Sequence, residues 1–473
     1  MIKKIFLMLA AAAVSVPPAF AQIDFDRGAA DLGGLLASQE IPAVQAPAQA
    51  KGLFGWGNNN SAPAQPKEWT VMVYMNGKND LEVAGLYNLN KMELAGSNDS
   101  LNIVTEIGRM NGQENDVSFD GNWTGSRRYY VTQDSNEEKI KSKKIQSFDK
   151  VDMGDWKHLA DFAKWAKTNY PARRYALIVW NHGSGWVTTK GRFVNKGISY
   201  DFETKNHIST PELGLAMKEI GKVDILGYDA CLMQMAEVVY ETKDYADFVV
   251  ASEETVPGTG FPYDAVLKSF APSRSTEELA NSMVSAFDGF YSLKGKKVTL
   301  SSVKVSELGG FMASFNGWTD ALLAFDKKPE LKKRWMLSAS YADKDNKDLY
   351  DFAGRLAADY PQDPVGVKSA ELMSALTGKL VVSNTAYKEG YGSDGTAHGL
   401  ALYMPDKGYN AKYDQLAWAR DTKWDDFLKE MKDVPAPGLE FMSGCTDPGP
   451  GATLSQLSAY IDCLTQALHD SKK

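Results

Sequence analysis

Two short apolar segments, Ala176-Leu-Ile-Val-Trp180 and Val223-Asp-Ile-Leu-Gly227, have the length and composition of buried β-strands. Asn181-His-Gly183 follows the first segment, and Tyr228-Asp-Ala-Cys231 follows the second. A segment typical of a helix separates the two, so the strands should lie parallel in one sheet with their C-terminal ends at the same edge. Because open parallel sheets build their active sites at that edge, we predict a cysteine nucleophile served by a histidine.

The same alternation of strands and helices extends over residues 67–265 and predicts an α/β fold with a mostly parallel central sheet. Residues 266–433 carry more apolar residues at helical spacing, and we expect them to continue this unit with an added helical layer. Residues 22–66 are rich in Ala, Gln, Gly and Pro, which predicts a flexible linker or a pro-segment. Residues 434–473 form a C-terminal tail that is rich in Pro and Gly.

Upstream of the histidine, Thr70-Val-Met-Val-Tyr-Met75 is another segment typical of a buried strand. Asp80 follows it and is predicted to cap the next helix, which would end near Leu94. Asp155 is predicted to cap the helix that precedes the histidine-bearing strand.

The first 21 residues have the three parts of a secretory signal peptide. Lys3 and Lys4 precede an apolar, alanine-rich stretch, and Ala19-Phe-Ala21 supplies small residues for cleavage. A buried N-terminal helix is the alternative interpretation. No later stretch reaches about 18 apolar residues, so we expect an exported protein, periplasmic or secreted, without a stable membrane anchor.

The net charge argues against a nucleic-acid partner, and the cysteine count singles out Cys231. A net charge of −8 and the lack of a dominant Lys/Arg block argue against a nucleic-acid partner. Of the three cysteines, Cys445 and Cys463 are the natural disulfide pair in an oxidising compartment. Cys231 is then the odd thiol, and it is either an inert buried side chain or the nucleophile.

The residues around the two reactive side chains suit covalent catalysis. His182 can serve as the general acid and base, although a histidine at a strand end is often structural. Gly183 lets its N–H approach a substrate carbonyl oxygen, because it carries no Cβ. The N–H of Cys231 is the second candidate donor, since a helix is predicted to start there, and the helix N-terminus would also favour the thiolate.

Several short motifs occur together in this chain: Val73-Tyr-Met75, Asn79-Asp-Leu81, Met153-Gly-Asp155, Trp180-Asn-His-Gly-Ser-Gly-Trp186, Gly227-Tyr-Asp-Ala-Cys-Leu-Met233, Ser252-Glu-Glu-Thr255 and Pro257-Gly258. The set resembles the clostripain-like cysteine peptidases, relatives of caspases, legumains and gingipains. His182 also precedes Cys231 by about 50 residues, the separation found in caspases. The resemblance covers residues 67–265 well and continues more weakly to about residue 410.

The resemblance implies a caspase-like α/β/α sandwich and an endopeptidase that works through a dyad of Cys231 and His182, with no obligatory third member. Gly183 would join the oxyanion hole, and a peptide or protein would be the substrate. Relatives commonly cleave after Arg or Lys at P1. Asp229 stands where a carboxylate of the S1 pocket would be, with a helix N-cap as its alternative role.

Relatives with basic specificity often carry an acidic residue near the position of Thr259, so this neutral residue leaves the basic preference less secure. Glu253 or Glu254 could compensate, or each could be an ordinary solvated loop residue.

Relatives also tend to cleave themselves between the two motifs. Lys190, Arg192 and Lys196 are the candidate processing sites there, within a loop that could equally be an ordinary solvated one. Some relatives depend on calcium, but the chain has no EF-hand-like spacing, and its other histidines lack metal-ligand spacing. No cofactor is therefore assigned, and calcium remains an open alternative that no motif supports. The chain is compatible with a monomer. The alternatives are a caspase-like scaffold protein without activity and a Cys-dependent acyl transferase such as a transpeptidase.

Overall fold

The computed structural model describes residues 66–113, 116–118, 120–136, 138–186, 197–296, 298–385, 397–435 and 462–463. The predicted signal peptide and all but the last residue of the predicted linker lie outside these residues. So do the candidate processing sites Lys190, Arg192 and Lys196. Cys463 is disulfide-bonded, but Cys445 is not among the described residues, so the proposed pairing and the predicted domain boundaries stay predictions.

Thirteen strands are present in the described part of the chain: β1 (Lys67–Gly77), β2 (Leu101–Arg109), β3 (Gly125–Tyr130), β4 (Lys143–Phe148), β5 (Ala172–Trp180), β6 (Ile198–Asp201), β7 (Asn206–Ile208), β8 (Val223–Asp229), β9 (Ala246–Ala251), β10 (Leu300–Lys304), β11 (Asn346–Asp348), β12 (Val381–Thr385) and β13 (Ala401–Tyr403). Nine of them form one sheet in the order β12-β10-β9-β8-β5-β1-β2-β3-β4. The five central strands, from β9 to β2, pair in parallel, and antiparallel strands extend both edges. Two small sheets, β6–β7 and β11–β13, lie outside it.

Twelve α-helices accompany these strands in the same described residues: α1 (Glu82–Glu93), α2 (Trp156–Asn169), α3 (Thr210–Ile220), α4 (Ala236–Thr242), α5 (Tyr263–Lys268), α6 (Thr276–Leu293), α7 (Leu308–Ala324), α8 (Lys328–Leu337), α9 (Leu349–Asp359), α10 (Pro364–Leu376), α11 (Ala417–Asp421) and α12 (Trp424–Met431). Short 3-10 helices occupy Val305–Glu307 and Ala411–Gln415. α1, α5 and α6 cover one face of the sheet, while α2, α3 and α4 cover the other. This arrangement confirms the predicted α/β/α sandwich.

Local sequence explains the central elements. β1 is buried along almost its whole length, as expected for the middle of a parallel sheet that is covered on both faces. Asp155 caps α2 as predicted, because its carboxylate accepts a hydrogen bond from the Lys157 N–H at 2.9 Å. α3 begins with a capping box formed by Ser209 and Glu212.

The helical layer after residue 305 packs around a cluster of aromatic rings. Trp318 and Trp424 stack with their ring centroids 5.6 Å apart, and Phe315 and Trp335 lie against them. This layer contacts the sheet unit close to the nucleophile, because the Ala401 N–H donates to the carbonyl oxygen of Gln234 at 2.9 Å. None of the helices in the described ranges is both long and apolar enough to span a bilayer.

Candidate active site

The ends of β5 and β8 bring the predicted pair together. These parallel neighbours pair in register up to Trp180 and Asp229. The next residue continues the contact, because the Asn181 N–H donates to the Asp229 carbonyl oxygen at 3.3 Å. His182 and Cys231 each lie two residues beyond the last pair. They therefore occupy adjacent loops at the C-terminal edge of the parallel strands.

Gly183 is the point at which the two loops touch. A Cβ added to this glycine would lie 2.5 Å from the carbonyl oxygen of Cys231 and 3.0 Å from the Cβ of Ala230. No other residue type fits at this separation without moving one of the loops. The close approach places the backbones of Gly183 and Cys231 side by side.

The thiol of Cys231 is buried, with 7% of the residue exposed. The Val256 N–H donates to its sulfur at 3.3 Å. Burial raises the pKa of Cys231 to about 12 against the effect of this hydrogen bond, and the negative charges of Glu254 and Asp229 raise it further. The sulfur is therefore a neutral thiol in this arrangement, and a thiolate forms only if a nearby base takes its proton.

The prediction that a helix begins at Cys231 is wrong. α4 begins at Ala236, and Met235 occupies its N-cap position. Leu232 instead adopts a positive φ of 60°, and its N–H donates to the loop after β9 at 3.1 Å. The helix N-terminus therefore lies more than a turn beyond the thiol and has little influence on it. The alternative role of Asp229 as a helix cap is also wrong, since Asp229 is the last residue of β8.

His182 pairs with a carboxylate that the sequence assigned to another role. Its Nε2 lies 2.7 Å from Oδ1 of Asp80, and the two side chains are 14% and 19% exposed. Burial opposes ionisation of Asp80, but the hydrogen bond and the charge of His182 outweigh it and lower the pKa of Asp80. The predicted helix cap is wrong, because Leu81 is the N-cap residue of α1 and no side chain caps that helix.

The β6–β7 hairpin packs against the loop that carries His182, which we call the histidine loop. The Ser184 N–H donates to the carbonyl oxygen of Gly197 at 2.9 Å, and the Ser184 hydroxyl lies 2.8 Å from that of Tyr200. The ring of Phe202 stacks on the imidazole of His182 with their centroids 6.4 Å apart. The sequence predicts only a loop between the two motifs, and it does not predict these contacts with His182 and Ser184.

Asp229 is a buried carboxyl group beside the loop that follows β9. It is 3% exposed, and its Oδ2 accepts a hydrogen bond from the Phe261 N–H at 3.0 Å. A Cβ added to Gly260 would lie 2.6 Å from the same oxygen, so this glycine permits the approach. Burial raises the pKa of Asp229 to about 7, and the proton is therefore held weakly near neutral pH.

Thr259 contributes a neutral hydroxyl to the same loop. The hydroxyl groups of Thr259 and Tyr291 lie 2.8 Å apart, and Tyr291 donates to the carbonyl oxygen of Gly260 at 2.7 Å. Because the phenol proton of Tyr291 is used in that bond, Thr259 is the donor in the hydroxyl pair. The loop beside Asp229 is therefore held by a hydroxyl pair in place of a second carboxylate.

The carboxylates of Glu253 and Glu254 accept hydrogen bonds from backbone N–H groups. Glu254 accepts hydrogen bonds from the N–H groups of Thr255 and Ala342 at 2.7 and 3.2 Å. Glu253 accepts one from the Gly399 N–H at 2.7 Å. These contacts tie the loop after β9 to the helical layer, and they use one oxygen of each carboxylate that could have replaced an acidic residue at Thr259.

Two other histidines pair with single carboxylates away from this edge. His158 Nε2 lies 2.5 Å from Glu106, and His398 Nδ1 lies 3.0 Å from Asp348. Within the described residues, no group of three or more His, Cys, Asp or Glu side chains is placed to hold a metal ion.

Comparison with known proteins places the chain in a family. The family model described as the clostripain family matches residues 73–431. Clostripain of Hathewaya histolytica is 31% identical over 216 residues, which cover 42% of this chain and 41% of clostripain. The match therefore spans less than half the length of that curated relative.

Two solved structures share the fold. A secreted C11 cysteine protease from Bacteroides thetaiotaomicron, in complex with an irreversible peptide inhibitor, matches with a TM-score of 0.57 and 20% identity, covering 76% of this chain and 99% of that one. An inactive zymogen C11 protease from Parabacteroides distasonis matches with a TM-score of 0.56 and 18% identity over the same shares. The folds of both solved proteases match the central sheet and flanking helices of this chain. Because the family model also spans well over half of the chain, the protein belongs to the clostripain family of C11 cysteine peptidases.

Proposed function

We propose that this protein is an exported cysteine endopeptidase that hydrolyses peptide bonds through Cys231 and His182. The observation that carries the proposal is the pairing of β5 with β8 up to Trp180 and Asp229, because it leads both reactive residues into adjacent loops. Family membership supports the class of reaction.

The proposed reaction passes through a thioester. His182 takes the proton of Cys231, and the sulfur attacks the carbonyl carbon of the scissile bond. The N–H groups of Gly183 and Cys231 donate to the oxyanion that forms. His182 then gives the proton to the leaving amine as the C–N bond breaks, and the acyl group remains on the sulfur. A water molecule, deprotonated by His182, hydrolyses the thioester and restores the thiol.

Asp229 is the residue that we propose as the acceptor of Arg or Lys at P1. It is a buried carboxyl at the end of the nucleophile strand, and a substrate cation would supply the opposite charge that a buried carboxylate needs. Thr259 would add a neutral hydroxyl beside it. Glu254 contributes less to this proposal, because its carboxylate already accepts two backbone hydrogen bonds.

Cleavage of fluorogenic peptides that differ only at P1 tests this function. Purified protein is expected to cleave Lys or Arg peptides faster than Gln or Ala peptides, with free carboxylic acid as the product even when an amine acceptor is added. Failure to cleave any peptide, or transfer to the amine in place of hydrolysis, would contradict the proposal.

Gly183→Ala is expected to reduce kcat by about a hundredfold, because the new Cβ would force the two catalytic loops apart by a substantial fraction of an ångström. Gly289→Ala is the matched control: it lies in α6, and nothing lies within 4 Å of an added Cβ there. The control should keep full activity and the same or slightly higher thermal stability. A Gly183→Ala variant with the kcat of the parent would argue against the proposed closeness of the loops.

We also propose that the protein cleaves itself at Lys190, Arg192 or Lys196. The Ser184 N–H and the Gly197 carbonyl oxygen are hydrogen-bonded on either side of this loop, so a cut within it would leave the histidine loop attached to the hairpin.

Self-processing is tested by following the chain after purification. Active protein should yield a fragment whose N-terminus follows one of the three basic residues, whereas Cys231→Ala should stay intact until active protein is added. Mass spectrometry of the fragments provides the measurement. A fully active preparation that stays uncut would show that processing is not required.

A further inference from the structure

The loop after β1 provides a third ionisable group at the catalytic edge of the sheet. β1 pairs with β5 in parallel up to Met75 and Trp180, so the residues that follow the two strands lie beside each other. Asp80 and His182 belong to these two loops, and Asp80 Oδ1 lies 2.7 Å from His182 Nε2. Three strand ends, those of β1, β5 and β8, therefore deliver a carboxylate, an imidazole and a thiol to one edge.

A network of amide side chains holds the loop of Asp80 against the loop of His182. The Asn79 amide donates to the Tyr200 carbonyl oxygen at 2.7 Å, and its oxygen accepts from the Leu81 N–H at 2.9 Å. The Asn181 amide donates to the Asn76 carbonyl oxygen at 2.6 Å, and its oxygen accepts from the Tyr200 N–H at 2.7 Å. Each of these amides is buried, so the two loops form one rigid support.

Asp80 lies one residue before the N-cap of α1, although the sequence predicts that it caps this helix. An Asp just before a helix commonly caps it, yet the N-cap residue of α1 is Leu81, and no side-chain capping bond is found at that position. The carboxylate instead faces the imidazole, across 102 residues of sequence. This contact points to a role for Asp80 at His182.

The geometry points to Asp80 as a positioning residue that fixes the imidazole of His182 in the tautomer with its proton on Nε2. A carboxylate can only accept a hydrogen bond, so the nitrogen that faces it must carry the proton. Nδ1 is then the nitrogen that exchanges a proton with the Cys231 thiol and with the leaving amine. The negative charge also stabilises the imidazolium that forms when the thiol is deprotonated. This inference rests on the proposed peptidase function and adds a carboxylate to its dyad.

Asp80→Asn tests the inference, because an amide is nearly the same size but can present an N–H to the imidazole. We expect kcat for a basic P1 peptide to fall about tenfold to a hundredfold, with KM unchanged within about twofold, because the proposed role of Asp80 is to act on His182 and not on the substrate. The pH at which kcat/KM falls to half on the acid side should move lower, since the imidazolium loses its counter-charge. Asp80→Glu should recover part of kcat.

Asp363→Asn is the matched control. Asp363 caps α10 in the helical layer and accepts a hydrogen bond from the Val365 N–H at 2.9 Å, so it is an Asp with a purely structural contact. The control should lose some thermal stability and keep both kcat and the pH profile.

An Asp80→Asn variant with the kcat and pH profile of the parent would overturn the inference. So would a loss of kcat in both Asp80→Asn and Asp80→Glu that follows loss of folded protein, because that result assigns Asp80 a structural role. These outcomes differ from failure of the proposed function, in which the parent protein itself cleaves no peptide or Cys231→Ala remains active.

Discussion

Replacing Cys231 by alanine is expected to lower kcat/KM for peptide hydrolysis by at least about 10⁴-fold, because removal of a catalytic nucleophile leaves only the binding and oxyanion contributions. The variant should fold, since loss of one sulfur atom from a buried position costs about 1 kcal/mol. Steady-state hydrolysis of a Lys or Arg peptide and a thermal unfolding curve provide the two measurements.

Cys231→Ser is the companion variant, because it keeps nearly the size of the side chain and removes the sulfur. It should be almost as inactive as the alanine variant, since a buried serine hydroxyl is a far weaker nucleophile than a thiolate. If either folded variant kept a tenth of the parent activity, the chemistry would have to reside elsewhere.

Asp229→Asn is expected to lower kcat/KM for basic P1 peptides by about a hundredfold or more, because it leaves the buried substrate cation without its counter-charge. Neutral P1 peptides should be cleaved as well as before or better, so the preference itself should collapse. Asp224→Asn is the matched control: Asp224 lies on the same strand, and its carboxylate also accepts a backbone hydrogen bond, from the Tyr175 N–H at 2.7 Å.

The raised pKa of Asp229 adds a pH dependence with a definite sign. The folded protein holds a proton on this carboxyl up to about pH 7, and a substrate cation needs the ionised form. Below pH 7 the ratio of kcat/KM for Lys peptides to that for Gln peptides should therefore fall about tenfold per pH unit, and above pH 7 it should level off. The ratio cancels the ionisation of Cys231 and His182, which both substrates share. Asp229→Asn should abolish the slope, and a slope that persists in this variant would exclude Asp229 as its source.

The catalytic edge of the sheet could be predicted from sequence because its signals are local. Continuous apolar runs in β5 and β8 marked buried parallel strands, and parallel strands of this kind place the residues after them at one edge. His182 and Cys231 follow those runs directly, so their proximity needed no knowledge of distant contacts.

The conformation around Cys231 could not be predicted, because tertiary contacts override local preference there. Residues 232–240 have a composition typical of a helix, yet the Gln234 N–H donates to the carbonyl oxygen of Ser252 at 2.9 Å and delays the helix until Ala236. Asp80 was missed for a similar reason. Its neighbours in sequence indicate a helix cap, while its partner, His182, lies 102 residues away.

The central claim is that Cys231 is the nucleophile. Because burial raises the pKa of its thiol to about 12, a simple alkylating agent is a poor probe, and the reagent should be carried to the sulfur by a peptide. The most direct measurement is peptide mapping by mass spectrometry after reaction with an irreversible peptidyl electrophile that ends in lysine. We expect one adduct per chain, on the fragment that contains Cys231, with loss of activity in proportion to labelling. Full inactivation with an unmodified Cys231, or an adduct on any other residue, would contradict the claim.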